Sequence, residues 1–193
     1  MSTLKLEEVS YQYKNGDRKV VNNVSCMFGS GKVSAVVGPS GSGKTTLLSL
    51  MAGLDQPTQG RILLDGEELA SMDLDQYRRE RVAMVFQAFH LFPLLTVLEN
   101  VCFPMELNGI SKKDAIAKAK ELLTSVGIGA EKHRRYPSNL SGGEQQRVAI
   151  ARALASGARV ILADEPTGNL DKANGEKVFG ILQQLAHQQR FCV

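Results

Sequence analysis

The octapeptide GPSGSGKT, residues 38–45, constrains the fold of this chain more than any other feature. It matches the pattern G-x-x-x-x-G-K-[ST] and lies between the apolar run VSAVV and the helix-like segment TTLLSLMAGL. The glycines allow such a loop to wrap with its N–H groups directed inward, around phosphate oxygens. A strand, this loop and a helix in that order predict the phosphate site of an α/β nucleotide-binding fold.

The loop also predicts roles for its side chains. Lys44 can reach the β- and γ-phosphates of a nucleoside triphosphate, and the Thr45 hydroxyl can ligate Mg²⁺. A glycine-rich turn without a ligand explains neither residue. We therefore expect nucleotide contacts from the whole loop and the residue after it: Gly38, Pro39, Ser40, Gly41, Ser42, Gly43, Lys44, Thr45 and Thr46.

A second polar element follows the apolar run VILAD, residues 160–164. The run predicts a buried parallel strand that carries Asp164 at its carboxyl end, where α/β folds place their ligand sites. Asp164 can hold Mg²⁺ there, and Glu165 extends one residue farther, where a general base could polarise an attacking water. A solvated acidic turn before Pro166 is the alternative interpretation.

The stretch LSGGEQQR, residues 140–147, predicts the start of a helix. Ser141 and Glu144 have the spacing of a capping box, which needs no ligand. Capping does not explain Gly142 and Gly143, because glycine in a first helical turn raises the entropic cost of ordering. A helix start with free N–H groups and no side chains in the way suits a phosphate. These residues alone leave a plain cap and a phosphate site equally open.

The remaining pattern divides into a β-rich and a helical part. Residues 3–37 alternate short β-type runs with turns, including an Asn15-Gly16 hairpin signal, and end in the run VSAVV, which reads as a buried strand. A further strand is predicted near RILLDGEEL. Apolar residues at helical spacing predict helices over residues 110–126, 142–157 and 174–187.

Composition narrows the class of protein. The chain of 193 residues is long enough for one sizeable core, and its net charge of +3 is scattered, so nucleic acid is not an expected partner. Cys26, Cys102 and Cys192 are far apart, which indicates neither a disulfide framework nor a zinc site. No run approaches the ~20 apolar residues of a membrane span, so we expect a chain that is soluble by itself.

Four motifs together resemble the nucleotide-binding domain of an ATP-binding cassette (ABC) transporter: GPSGSGKTT, the glutamine of VFQ at Gln87, LSGGEQQR and ILADEPTGNLD, in this order. The sequence around these motifs is most similar to the bacterial subfamily that includes the lipoprotein-releasing, macrolide-efflux and cell-division ATPases. The resemblance implies an α/β fold with a P-loop NTPase core and mixed sheet, an N-terminal antiparallel β lobe and a helical insert. It implies a single domain, 1–193, with the core in 1–87 and 158–193 and a helical subdomain in 88–157.

The resemblance implies that the cofactors are ATP and Mg²⁺ and that the chain is an ATPase. By similarity, the catalytic residues are Lys44, Gln87 and Glu165, and the metal ligands are Thr45, Gln87 and Asp164. Gln87 matches a glutamine that contacts both Mg²⁺ and the attacking water.

Three further nucleotide-contacting elements follow from the resemblance. Tyr13 matches an aromatic residue that stacks on adenine, although an ordinary strand aromatic beside Tyr11 is the alternative. Two copies associate head to tail in the family, as a homodimer or pseudo-dimer, so that the LSGGE segment contacts the γ-phosphate bound by the other copy. The residues that carry this contact here are Ser141, Gly142, Gly143 and Glu144, and residues 169–171 match a loop that crosses to the other subunit.

The resemblance implies an integral membrane permease as partner, and a cytoplasmic location, peripheral on the inner face of the cell membrane. Phe89, Phe92 and Phe103 are interpreted mainly as core residues, and alternatively as a groove for a short helix of that permease.

Two alternatives to a transport ATPase remain at this stage. One is an ATP-dependent dimerisation module of the cell-division type, and the other is a soluble ABC ATPase of DNA repair or translation. The chain also stops about five residues short of the position where relatives carry a switch histidine. We therefore expect an unpaired sheet edge, intact Mg-ATP binding and slow hydrolysis.

Overall fold

The N-terminal part of the chain is an antiparallel sheet, in a computed structural model that describes residues 2–14 and 16–193. Its strands are β1 (Thr3–Tyr11), β2 (Val21–Gly29), β3 (Gln59–Leu64) and β4 (Glu67–Glu68). They lie in the order β2-β1-β3-β4, with every neighbouring pair antiparallel. The predicted antiparallel lobe is confirmed, while the hairpin signal at Asn15 lies outside the described residues.

The alternation of β1 explains why this sheet forms. Leu4 and Leu6 are buried, while Lys5 and Glu7 lie on the opposite face. Glu7 accepts hydrogen bonds there from Lys5 and Arg61, each at 2.6 Å. One face of the sheet is therefore apolar and packs on the core, and the other is polar and faces solvent.

A second sheet carries the ends of two sequence motifs. It consists of β5 (Val82–Phe86) and β6 (Val160–Asp164), which are parallel and in a register that pairs Phe86 with Asp164. The predicted buried parallel strand VILAD is thus confirmed. The pairing places Gln87 and Glu165, each one residue beyond its strand, at the same edge of the sheet.

The prediction of a buried strand at VSAVV, residues 33–37, is wrong. The Ser34 N–H donates to the Val193 carbonyl at 2.8 Å, and no described residue pairs with the backbone of residues 35–37. Val37 is 87% exposed, so this run is neither buried nor part of either sheet, and the expected unpaired sheet edge stays a prediction. An apolar run indicates a tendency to be buried, but it does not indicate whether a partner strand is present.

Six α-helical segments complete the described chain, and the predicted helices over 110–126, 142–157 and 174–187 correspond to three of them. Short 3₁₀ turns occur at Leu69–Ser71, Ala130–Lys132 and Pro137–Asn139, and a π turn at Tyr77–Arg81. The helices are α1 (Lys44–Met51), α2 (Leu74–Gln76), α3 (Val97–Leu107), α4 (Lys112–Ser125), α5 (Gly142–Ala155) and α6 (Lys172–Gln189).

Two apolar cores lie on opposite faces of the β5–β6 sheet. Val82, Val160 and Leu162 point into the core shared with the N-terminal sheet and α1. Val85 and Ile161 point into the core formed by α3, α4, α5 and α6. Both faces of the sheet are therefore covered, and its carboxyl edge lies between the two cores. That residues 88–157 form a separate subdomain stays a prediction.

Candidate functional site

The phosphate-binding motif forms an exposed loop that ends at the first residue of α1. Gly43 has a φ of 91°, and a β-carbon there would lie 2.5 Å from the Val20 carbonyl oxygen, so only glycine fits. The Lys44 ammonium donates to the carbonyls of Gly38 and Pro39, at 2.9 and 3.0 Å. The cation therefore lies across the mouth of the loop, where it can exchange these carbonyls for anionic oxygens.

The loop meets the acidic strand end directly. Thr45 Oγ1 donates to Asp164 Oδ1 at 3.3 Å, although the two residues are 119 positions apart. Glu165 follows with a φ of 47°, in the left-handed region that non-glycine residues seldom adopt. Its carbonyl accepts a hydrogen bond from Gly168 N–H at 2.9 Å, which closes a turn after β6. A hydroxyl and the Asp164 carboxylate thus meet at the start of α1, and Glu165 is the next residue in the chain.

Gln87 lies at the same edge and is held by the loop that follows β6. Its Nε2 donates to Asn169 Oδ1 at 3.0 Å, and Asn169 Nδ2 donates to the Gln87 carbonyl at 3.2 Å. Gln87 and Asn169 both lie in motifs that were identified from the sequence, but the sequence did not predict the hydrogen bonds between them.

The two N-terminal tyrosines differ in environment. Tyr11 is buried at 8% exposure, whereas Tyr13 is 48% exposed and meets the Tyr11 ring edge to face at 5.0 Å. The Tyr13 hydroxyl lies 3.0 Å from Thr46 Oγ1, in the first turn of α1. Tyr13 thus presents an open aromatic face next to the phosphate loop, as a base-stacking residue requires.

The LSGGE segment contains the predicted capping box at the start of α5. The Ser141 N–H donates to the Glu144 carboxylate at 2.9 Å, and the Ser141 hydroxyl accepts from the Glu144 N–H. Glu144 also pairs with Lys132. The hydrogen bond from Lys132, followed by that from the Ser141 backbone, lowers the pKa of Glu144 to about 2. The carboxylate is therefore fully ionised at neutral pH.

Gly142 and Gly143 of the LSGGE segment have different surroundings. A β-carbon on Gly143 would lie 2.5 Å from the side-chain amide of Asn174, so this glycine is explained by packing within the chain. A β-carbon on Gly142 would meet Phe89 and Leu170 only at 3.5 and 3.6 Å, which is ordinary contact. Folding of this chain therefore does not account for Gly142.

An apolar groove lies beside the segment that follows Gln87. We call it the Phe92–Phe103 groove; its volume is about 370 Å³. The two rings are 40% and 41% exposed and lie 4.8 Å apart, so their interpretation as core residues is wrong. Phe89 is half-buried and packs near Gly142 instead. The residues that line it include Leu54, Met84, Phe92, Phe103, Arg152 and Ser156.

Arg152 of α5 was not singled out in the sequence, yet it ties this groove to the site. It donates to the carbonyls of His90 and Phe89, at 2.6 and 3.2 Å, and its guanidinium lies over the Phe92 ring. Phe89 and His90 both have left-handed backbone, with φ values of 60° and 47°. A half-buried cation thus holds a strained loop between Gln87 and the groove.

The comparisons with known proteins agree with this geometry. The ABC transporter family matches residues 21–168, a span that contains the loop, Gln87, the LSGGE segment and Glu165. YclH of Bacillus subtilis, an uncharacterized ABC transporter ATP-binding protein, is 42% identical over 193 residues, which are 100% of this chain and 85% of YclH. LolD of Shewanella frigidimarina, a lipoprotein-releasing system ATP-binding protein, is 44% identical over 190 residues, 96% of this chain and 79% of LolD.

Solved structures agree as well. The dimeric structure of MJ0796, a bacterial ABC transporter cassette, gives a TM-score of 0.88 at 39% identity and covers 98% of this chain and 85% of that one. The dimeric structure of a post-hydrolysis state of the same cassette, bound to ADP and Pi, gives a TM-score of 0.87 at 38% identity. The match covers 97% of this chain and 84% of that one. The P-loop NTPase fold expected from the resemblance is confirmed. This chain belongs to the ABC transporter family, as one of its ATP-binding, ATP-hydrolysing subunits.

Proposed function

We propose that the chain binds Mg-ATP at the phosphate loop, pairs with a second cassette when ATP is bound, and uses hydrolysis to drive export or release through a membrane partner. The contact of Thr45 with Asp164 carries the proposal. It joins the phosphate loop to the acidic strand end at the carboxyl edge of a parallel sheet, where nucleotide sites of such folds lie.

The side chains at this edge fit Mg²⁺. A hard cation takes oxygen ligands, and Thr45 and Asp164 supply a hydroxyl and a carboxylate in contact. Gln87 supplies an amide at the same edge of the sheet. Residues 2–14 and 16–193 contain no group of three or more His, Cys, Asp or Glu that could hold a metal ion. Mg²⁺ usually takes one or two protein ligands and completes its shell with phosphates and water, and Thr45 and Asp164 can supply two such ligands. When bound, the ion would neutralise charge on the phosphates.

The protein groups have separate tasks in the proposed reaction. Lys44 turns from the Gly38 and Pro39 carbonyls to the phosphates and stabilises their negative charge. Glu165 accepts the proton of the attacking water as general base. Its left-handed backbone conformation is the kind of strain that folded proteins retain at functional sites.

The surroundings of the LSGGE segment favour a partner cassette. The side chains nearest to β-carbons built on Gly142 and Gly143 belong to Phe89, Leu170 and Asn174, and Ser141 is hydrogen-bonded to Glu144; none of these residues belongs to the phosphate loop of the same chain. Ser141 is exposed, and Gly142 has space in front of it. A triphosphate held by a second copy can approach this helix start, whose N–H groups and dipole favour an anion. ATP then contacts both copies, while ADP lacks the phosphate that this helix would bind.

The Phe92–Phe103 groove is the proposed docking site of the membrane partner. Among the described residues, no helix is both long enough and apolar enough to cross a bilayer. The groove has an apolar floor with two open aromatic rings, which suits an amphipathic helix. Arg152 links its wall to the loop after Gln87, so that movement of a docked helix can reach the nucleotide. Docking there would place the chain at the inner face of the cell membrane.

Light scattering after size-exclusion chromatography tests this proposal with Glu165→Gln, which removes the base and retains bound ATP. We expect a dimer at saturating Mg-ATP and a monomer with Mg-ADP. Lys44→Ala added to this variant serves as the matched control and should stay monomeric. A Glu165→Gln chain that remains monomeric with bound Mg-ATP would refute ATP-driven pairing.

A further inference from the structure

Asn169 and Gln87 hold each other by two reciprocal hydrogen bonds. Gln87 Nε2 donates to Asn169 Oδ1 at 3.0 Å, and Asn169 Nδ2 donates to the Gln87 main-chain carbonyl at 3.2 Å. Both residues lie beyond the ends of the parallel strands, 82 positions apart in sequence. The pair therefore connects the residue after β5 to the loop after β6.

The loop presents Asn169 in a fixed position. On one side, the Gly168 N–H donates to the Glu165 carbonyl at 2.9 Å, and the Leu170 N–H donates to the Thr167 carbonyl at 3.1 Å. On the other side, the Asp171 side chain caps α6 by accepting from the Asn174 N–H at 3.0 Å. Asn169 thus lies between a closed turn and a capped helix, which restrict its backbone.

The chemistry of the pair also fixes which way each amide faces. A main-chain carbonyl only accepts, so the group that Asn169 directs at the Gln87 carbonyl must be its nitrogen. Its Oδ1 then faces the Gln87 side chain and requires a donor there. The Gln87 amide must therefore direct Nε2 at Asn169, and its oxygen is the end left without a partner among the described residues.

We infer that Asn169 is a positioning residue for the ATPase reaction: it sets the orientation of the Gln87 amide so that Oε1, and not Nε2, is available to Mg²⁺. This inference rests on the proposed role of Gln87 as a metal ligand. An amide can ligate Mg²⁺ only through its oxygen, since hard cations take oxygen ligands. A glutamine side chain without a partner could present either Oε1 or Nε2 to the metal. Gln87, whose Nε2 is hydrogen-bonded to Asn169, can present only Oε1. Outer partners of this kind typically change metal affinity or activity by about 10–100-fold.

The test measures metal binding directly. Each chain is isolated as a stoichiometric complex with a non-hydrolysable ATP analogue, and Mn²⁺ is titrated in place of Mg²⁺ with detection by electron paramagnetic resonance. We expect Asn169→Leu, which keeps the size of the side chain but removes both hydrogen bonds, to weaken Mn²⁺ affinity about 10-fold. Asn108→Leu is the matched control, because Asn108 also donates to a main-chain carbonyl but lies at the end of α3.

A double-mutant cycle separates positioning from packing. If Asn169 acts through Gln87, then Asn169→Leu should have no further effect in a Gln87→Ala chain. The inference is overturned if Asn169→Leu lowers Mn²⁺ affinity equally in the wild-type and Gln87→Ala chains. It is also overturned if Asn169→Leu alone has no effect while Gln87→Ala weakens Mn²⁺ binding. Either result leaves the proposed function intact. Wild-type Mn²⁺ affinity in Gln87→Ala would instead remove the metal role of Gln87, and the inference with it. Binding of the nucleotide without metal should not change in Asn169→Leu.

Discussion

Asn174 packs so closely on Gly143 that a β-carbon at position 143 would lie 2.5 Å from the Asn174 side-chain amide. We expect Gly143→Ala to lower the free energy of unfolding by about 1–3 kcal/mol, because overpacking forces neighbours to shift. Gly142→Ala should not lower it, since its nearest neighbour would be 3.5 Å away. Gly142→Ala should instead weaken ATP-dependent dimerisation in the Glu165→Gln background. Urea unfolding measures the stability of each variant, and light scattering measures its dimerisation. Equal destabilisation by Gly142→Ala and Gly143→Ala would contradict the prediction.

Ser141 is expected to matter for pairing more than for the monomer. Ser141→Arg places a long side chain at the helix start that a partner's triphosphate would approach, so dimerisation should be lost while the monomer's affinity for labelled ATP stays nearly intact. Ser141→Ala removes the cap alone, at a cost of about 1 kcal/mol, and controls for that loss. Ser138→Arg controls for charge at an exposed position nearby. A large loss of ATP affinity in the Ser141→Arg monomer would show that this serine serves its own chain's nucleotide.

The Phe92–Phe103 groove predicts a separation of ATP binding from docking. Phe92→Lys, which puts a second cation beside Arg152, and Phe103→Asp should each leave ATP binding by the monomer unchanged and reduce co-purification of a membrane protein about 10-fold, because a charge in an apolar contact costs several kcal/mol when unpaired. Met27→Asp is the matched control, since Met27 is 68% exposed on β2, in the N-terminal sheet. Retention of the membrane protein by both groove variants would exclude this groove as the docking site.

The pairing of Glu144 with Lys132 predicts a stability difference that depends on pH. The pKa of Glu144 is lowered from 4.5 to about 2 in the folded chain, so the unfolded chain binds more protons between these values. The stabilisation is complete above about pH 4.5 and is lost as the pH falls toward 2. We expect the wild-type advantage over Glu144→Gln, measured by urea unfolding, to shrink over this interval, because glutamine keeps the cap but does not titrate. A difference that is independent of pH would argue against the pair.

Local elements could be predicted from the sequence because they depend on residues that are neighbours in the chain. The loop at 38–45, the cap at Ser141 and strand β6 each follow from a short contiguous pattern. Helix α3 was missed, although Thr96 and Glu99 form a capping box whose spacing was visible in the sequence. Pro104 within the helix and the aromatic residues around it obscured the helical period.

Contacts between segments that are distant in the chain could not be predicted from such short patterns. The sequence alone determined that the chain carries a phosphate loop, an acidic strand end and a capped glycine-rich helix start. Only the tertiary structure decided that Thr45 meets Asp164, that Asn169 holds Gln87 and that Asn174 accounts for Gly143 but not for Gly142. It also decided that VSAVV lies exposed and that two phenylalanines line a groove. The physical reason is that a pattern sets the conformation and polarity of one segment, whereas the packing of whole elements sets which distant surfaces meet.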